Sequence, residues 1–355
     1  MTLVKTFFVK VQKRNANKLR LYLKQKGLLD VKKDVLSEND YIFFPIKNQD
    51  NNLVREIKNE LAISVDIVYR EAKQKRERPR NLEEMLRDKI PSQLIMHIPK
   101  SFDIIGDICI IEVDSIIEKY AKEIAEAILQ LHKNVHAVFL RAGDVQGITR
   151  VRPLKFIAGE FKTETIHKEN GCIFYLDVTK VYFSPRLGRE HWRVAEQIRD
   201  NETVVDMFAG VGPYVIPAAK RTKAVLYAID INPDAHYYLK KNIIANKVGD
   251  RVIPILGDVS VVVRERLKHV ATRVIMNLPK HAHKYLDTAF LALSSDGGII
   301  HFYSVGREPN IFENALKYIM NCAKSENRRV EILYKGKVKE IAPRKWQVVL
   351  DAKVY

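Results

Sequence analysis

From about residue 201 to its end, the chain alternates short apolar runs with amphipathic helical segments. The stretch ETVVDMFAGVGPYVIPAAKR reads as a strand, a glycine-rich turn and a helix. AVLYAID then NPDAHYYLKKNIIANKV, RVIPILGD then VSVVVRERLKHV, TRVIMNLPK then HAHKYLDTAFLAL, and GGIIHFYSV then PNIFENALKYIMNCAKS repeat the strand-helix unit. RRVEILYKG and KWQVVLDAKVY close the series as an antiparallel pair. Parallel strands need a crossover between them, and helices used as crossovers must cover both faces of the sheet. The pattern therefore predicts an α/β class and a doubly wound, mostly parallel sheet.

The upstream chain has a different texture. Residues 1–70 predict a small α+β unit, with strands in TFFVKVQ and DYIFFPIK and a helix in NANKLRLYLKQKGLL. Residues 71–87 are rich in charge and carry Pro79, which reads as a linker. Residues 88–190 predict a second α+β domain. In it, IPSQLIMHIPKSFDIIGDICIIEV has the spacing of strands broken by turns, SIIEKYAKEIAEAILQLH reads as a helix, and CIFYLDVTKVYFSP as a strand. Residues 191–355 are left for the doubly wound domain.

Charge narrows the choice of partner. Lys and Arg number 60 against 43 Asp and Glu, a formal net charge of +17. Such an excess points to an anionic macromolecule, most simply nucleic acid. No apolar run is long enough for a transmembrane helix, and the N-terminal residues lack a signal-peptide pattern. Cys109, Cys172 and Cys322 lie far apart with no metal-ligand spacing, as in a reducing cytoplasmic setting.

The chemistry gathers at strand ends. DMFAGVGPY places Asp206, Phe208, Ala209, Gly210, Val211, Gly212 and Pro213 after the first strand of the doubly wound domain. Glycines there let the backbone turn tightly against a ligand. Asp230, followed by Ile231, ends the second strand, where a carboxylate can accept both hydroxyls of a ribose. Asp258, followed by Val259, ends the third, in reach of an adenine amino group. Ligands of open α/β sheets bind at these tips. The order and spacing resemble class I S-adenosylmethionine-dependent methyltransferases with a Rossmann-like sheet; another nucleotide-binding α/β domain is the alternative.

The fourth strand ends in Asn277, Leu278, Pro279 and Lys280. This turn is similar to the (Asp/Asn)-Pro-Pro-(Tyr/Phe) of amino-group methyltransferases, but Leu278 and Lys280 depart from it. A ring nitrogen is the better-matched acceptor. KVYFSPRLGREHWRV supplies Glu190 among Arg186, Arg189 and Arg193, with Tyr182, Phe183 and Trp192 interleaved as in a base-stacking platform. Glu190 reads either as a base or as half of a surface ion pair. His167, in a hairpin-like turn, reads as structural.

GITRVRPLKFIAGE, TIHKENG, DVTKVYFSPRLGREHWRVA, DMFAGVGPY and NLPK together resemble the archaeal and eukaryotic tRNA (guanine-37-N1)-methyltransferases over residues 140–355. The resemblance implies S-adenosylmethionine as cofactor and tRNA as partner. It implies an α+β RNA-binding middle domain, and a small first domain that docks near the tRNA elbow. It assigns Glu190 as general base, Arg150 to the purine O6, and Asn277 to the catalytic strand tip. Tyr182, Arg186 and Pro279 would shape the guanosine pocket. A monomer is expected, since three domains around one tRNA need no second copy. Two alternatives stay within tRNA position 37: transfer of the cofactor's aminocarboxypropyl group, and methylation of a wyosine intermediate. A tRNA-binding protein with a vestigial pocket is a third.

Overall fold

The computed structural model describes residues 3–49, 52–73, 79, 81–143 and 153–355. The chain divides into two compact units, Met1–Arg80 and Asn81–Tyr355. The first contains β1 (Leu3–Gln12), α1 (Ala16–Gln25), β2 (Leu36–Glu38), β3 (Tyr41–Pro45), α2 (Leu53–Leu61) and β4 (Asp66–Lys73). Its sheet has the order β2-β3-β1-β4, paired antiparallel throughout. Val9, Val11 and Phe44 from the sheet meet Leu19, Leu23, Leu53 and Ile57 from the helices in one core. The expected linker is partly structured. Glu71, Ala72 and Lys73 pair with Lys5, Val4 and Leu3, because β1 is long enough to recruit them.

The second unit opens with α3 (Leu82–Leu86), which also falls within the expected linker; Asn81 caps it by accepting from the Glu84 N–H at 2.8 Å. There follow β5 (Asp103–Ile105), β6 (Ile108–Ile111), α4 (Ala121–Leu131), β7 (Ala137–Arg141), β8 (Leu154–Gly159), β9 (Glu164–Glu169) and β10 (Cys172–Asp177). Ser92–His97, expected extended, forms a 3-10 helix between Pro91 and Ile98. Strands β5 to β8 make a four-stranded sheet, and β9 and β10 a separate hairpin.

The doubly wound region then runs α5 (Gly188–Gln197), β11 (Thr203–Asp206), α6 (Val215–Arg221), β12 (Val225–Asp230), α7 (Pro233–Ala245), β13 (Val252–Leu256), α8 (Val259–Arg266), β14 (Arg273–Met276), α9 (Leu286–Ala292), β15 (Gly298–Arg307), α10 (Glu313–Ser325), β16 (Val330–Ala342) and β17 (Lys345–Val354). The sheet order is β13-β12-β11-β14-β15-β17-β16, parallel through β15 and antiparallel at the closing pair. Alternate residues of one strand serve opposite layers: Val204 joins the core beneath α5, α6 and α7, and Val205 the core beneath α8, α9 and α10. Continuous apolar strands follow from burial on both faces. The first of these cores also takes in Phe139 of β7 and Phe174 and Leu176 of β10, so the hairpin and the doubly wound sheet share apolar interior. Among the described residues no helix is long and apolar enough to cross a membrane.

Candidate active site

The chain turns back between β11 and β14, the one place where consecutive parallel connections leave in opposite directions. The carboxyl ends of these strands open into a cleft of ≈ 1210 Å³. Phe208, Gly210, Asp230, Ile231, Asp258, Val259, Asn277 and Pro279 line it, together with Tyr182 and Arg186 from the lead-in to α5. Asp206, Ala209, Val211, Gly212 and Pro213 are not in that lining. Ala209 and Val211 are core residues. Gly212 has φ +94°, which L side chains rarely adopt, and an added Cβ would also press on the Ile216 and Leu239 side-chain ends at 2.7 and 2.8 Å, so backbone conformation demands that glycine. Gly210 differs. Its φ is +54°, and an added Cβ would meet only the Tyr182 carbonyl at 3.9 Å. It keeps the turn open toward the cleft.

Three carboxylates mark three strand ends. Asp230 accepts from the Gly210 N–H at 2.7 Å and the Asn232 N–H at 2.9 Å, which orients it before a ligand arrives. Burial raises its carboxyl above the usual range. Asp258 caps α8 by accepting from the Ser260 N–H at 2.8 Å. Asp206 is fully buried. Its Oδ1 accepts from the Phe208 N–H at 3.2 Å, while Oδ2 has no hydrogen-bond partner among the described residues. Burial pushes this carboxyl up to about 7, against the Phe208 N–H and with the nearby Asp230 charge adding.

The other side of the cleft is built from longer reaches. Leu278 N–H donates to the Met276 carbonyl at 2.9 Å and Ala282 N–H to the Leu278 carbonyl at 2.7 Å, so the Asn277–Lys280 turn is tied at both ends. Gln347 of β17 donates to Asn277 Oδ1 at 3.0 Å, which leaves the Nδ2 donors without a partner among the described residues. Lys339, at a bulge of β16, donates to Tyr182 Oη at 3.1 Å and Ser184 Oγ at 3.2 Å. Arg186 donates to Asp103 of β5 at 2.5 Å. Glu190 lies outside the lining, in the first turn of α5, with its side chain 11% exposed. It accepts from Arg193 Nε and Nη2, each at 2.8 Å, and from Tyr303 Oη at 2.5 Å. Arg150 lies outside the described residues.

Comparison with known proteins decides between the families that could own such a cleft. The TRM5/TYW2 methyltransferase domain matches residues 165–333, the TYW2 N-terminal domain residues 82–163, and the tRNA methyltransferase 5 N-terminal domain residues 9–54. The tRNA (guanine(37)-N(1))-methyltransferase Trm5b of Pyrococcus abyssi is 40% identical over 98% of this chain and 99% of its own. The chain belongs to the TRM5/TYW2 methyltransferase family. A solved TRM5/TYW2 relative, a complex of aTrm5 and tRNALeu, is 38% identical with a TM-score of 0.84, covering 98% of this chain and 100% of the relative. The tRNA(Phe) (4-demethylwyosine(37)-C(7)) aminocarboxypropyltransferase of Methanocaldococcus jannaschii, in the same family, is 39% identical over 70% of this chain and 96% of its own.

Some side chains of this TRM5/TYW2 methyltransferase site escape sequence reasoning. Lys339 and Gln347 reach the cleft, and Tyr303 reaches Glu190 behind it, from strands whose local sequence says only that they are strands. Their placement comes from the pairing of β15, β17 and β16, which no local motif encodes. His167 accepts from the Gly106 N–H at 3.1 Å and so joins the β9–β10 hairpin to the β5–β6 turn. Burial pushes the Cys109 and Cys322 thiols up to about 12, far from thiolate chemistry.

Proposed function

We propose that the chain transfers a methyl group from S-adenosylmethionine to N1 of guanosine 37 in the anticodon loop of tRNA. The observation that carries this reading is coverage. The relative named as a guanine-37-N1 methyltransferase matches 98% of the chain, the aminocarboxypropyl relative 70%. The N-terminal unit is thus accounted for by the methylating relatives. On the same grounds tRNA is the partner, and the first unit its docking domain.

The residues present fit the cofactor. Asp230 and Asp258 put carboxylates at one side of the cleft, and the fully buried Asp206 has no donor to its Oδ2 among the described residues. That environment suits the sulfonium and ammonium groups of the ligand and the hydroxyls of its ribose. When bound, S-adenosylmethionine supplies an electrophilic methyl group whose bonding electrons leave with sulfur. Gly210 keeps the wall clear for it, and Ile231 and Val259 flank the adenine side.

The acceptor needs help from the protein, because guanine N1 carries a proton and its electrons are drawn into the ring amide. Glu190 takes that proton. Its carboxylate offers about four acceptor sites. Three are occupied by two Arg193 donors and Tyr303, which leaves one on Oε2 for the N1–H. Negative charge then moves toward O6, where Arg150 stabilises it as it develops. The Nδ2 donors of Asn277, unpartnered among the described residues, fit an acceptor on the purine edge. Tyr182 and Arg186 hold the base once it leaves the loop stack, and Pro279 keeps the strand tip rigid behind the methyl.

Single-turnover methyl transfer to transcripts with guanosine or adenosine at position 37 tests the reading. Guanosine transcripts are expected to react and adenosine transcripts to stay unmodified. Glu190→Gln is expected to lose about 10²- to 10⁴-fold in rate with cofactor affinity unchanged. A Gln variant as fast as wild type removes Glu190 from the base role.

A further inference from the structure

Glu190 is one end of a buried chain of charges behind the cleft. Arg193 donates to Glu190 from Nε and Nη2, and to Asp351 of β17 from Nη1 at 2.6 Å and Nη2 at 3.1 Å. Asp351 also accepts from Gln197 Nε2 at 3.2 Å, and His301 Nδ1 of β15 lies 2.7 Å away. On its other side His301 Nε2 is 2.8 Å from Arg273 Nη1. Arginine can only donate, so Nε2 accepts and Nδ1 carries the hydrogen that His301 donates to Asp351. Arg273 in turn is forked onto Glu202, through Nε at 2.5 Å and Nη2 at 2.8 Å. Asp351 and His301 are almost wholly buried, at 2% and 0% exposure.

One guanidinium thus faces two carboxylates. Paired with Arg193 alone, Glu190 would meet the full positive charge, which favours the ionised carboxylate and weakens it as a proton acceptor. Asp351 grips the same guanidinium from the far side. Burial works against the Asp351 charge, but the hydrogen bonds from His301 and Arg193 and the positive charge of Arg193 win and hold its carboxyl well below the usual range. Two phenols also stand near Glu190. Tyr303 of β15 donates to it, and Tyr214 beside α6 packs 5.9 Å from Tyr303. Burial pushes both phenols far up, so both stay neutral. From β16, the Tyr334 ring sits 4.6 Å from the Arg193 guanidinium.

We propose that Asp351, oriented by His301, is a positioning residue for methyl transfer: by sharing Arg193 with Glu190 it fixes the guanidinium and leaves Glu190 able to accept the N1 proton. This rests on the reading of Glu190 as base. The chemistry is unchanged by it: the N1 proton passes to Glu190, the N1 pair forms the new C–N bond, and the C–S pair stays on sulfur.

The test is single-turnover methyl transfer by the full chain on a guanosine-37 transcript between about pH 5 and 8.5, with S-adenosylmethionine affinity measured by calorimetry for each variant. Asp351→Asn hands Arg193 wholly to Glu190. It is expected to move the acid limb of the rate down by about one pH unit and to lower the plateau roughly threefold. Arg193→Gln is expected to move the limb the opposite way. Cofactor affinity should stay at the wild-type value in both. Loss of amplitude with an unmoved limb in Asp351→Asn means a packing role only, and overturns the proposal. If Asp351→Asn does not fold, Arg193→Gln decides: an upward limb supports the proposal and an unmoved one overturns it. Glu190→Gln separates the two readings. A wild-type rate in that variant removes the base on which the proposal stands; a slow Gln variant beside an unmoved Asp351→Asn limb removes the proposal alone.

Discussion

Asp206 is fully buried with no partner for its Oδ2 among the described residues, an arrangement that costs stability when the carboxyl is ionised. Its folded-state carboxyl sits at about 7, above the ordinary 3.8. The folded protein therefore holds this proton more tightly than the unfolded chain does. The associated stability is complete below pH 3.8 and is lost as pH rises through 7. Asp206→Asn is expected to raise the melting temperature of the ligand-free protein at pH 7 to 8 and to weaken S-adenosylmethionine binding, both readable in one set of thermal melts with and without cofactor. A variant that melts lower than wild type at that pH would mean that the charge is needed structurally. Asp230 and Asp258 were legible as strand-tip residues because alternation alone locates strand tips. Asp206 was legible too, but not its isolation, which depends on the packing above it. Glu190 stood out among arginines; that Arg193 serves a second carboxylate, on β17, was not legible, since local sequence says nothing about partners so far along the chain.

At the scale of elements, α7 does more than cross over. Asn242 Oδ1 accepts from the Tyr175 N–H at 2.6 Å, and its Nδ2 donates to the carbonyls of Tyr175 and Val211, each at 3.1 Å. One turn on, Asn246 repeats the exchange with Ile173, at 2.9 and 2.7 Å. Two side-chain amides thereby stand in for a neighbouring strand along the free edge of β10. Asn242→Leu strands three backbone groups in a buried site and is expected to cost about 2–4 kcal/mol, measured by urea unfolding. An unchanged midpoint would sink this account of the clamp. The hairpin is latched to α5 as well: Glu169 lies 2.7 Å from His191 Nδ1. Burial raises the Glu169 carboxyl, but the hydrogen bond with His191 and the imidazole of His167 3.8 Å away outweigh it and hold it at about 2, below the ordinary 4.5. Its stability contribution is present above pH 4.5 and lost as pH falls toward 2. Glu169→Gln is therefore expected to flatten the acid side of a melting-temperature profile; a profile as steep as wild type would contradict the latch. Periodicity revealed α7 and β10, but not β9, whose His167 reads as part of a turn, and not why asparagine occupies the face of α7 toward β10. That reason lies in an edge strand from another part of the chain.

For the whole molecule, charge and the change to a strand-helix rhythm were legible early, because composition and rhythm are sums over many residues. The sharing of apolar core between the β9–β10 hairpin and the doubly wound sheet was not, since strand patterns do not say which sheet a strand will join. A net charge of +17 on an RNA-modifying chain makes a prediction of its own. Raising salt from about 50 to 200 mM is expected to weaken tRNA binding a hundredfold or more while cofactor affinity hardly moves, because phosphate contacts release counterions and the cofactor cleft does not. A salt-insensitive tRNA affinity would detach the basic surface from function. The most direct measurement is the identity of the product. Wild-type protein, S-adenosylmethionine and an unmodified guanosine-37 transcript are combined, and the tRNA is digested for nucleoside mass spectrometry. The account requires 1-methylguanosine at position 37. An aminocarboxypropyl adduct, a methyl group on any other atom, or an unmodified transcript would contradict it.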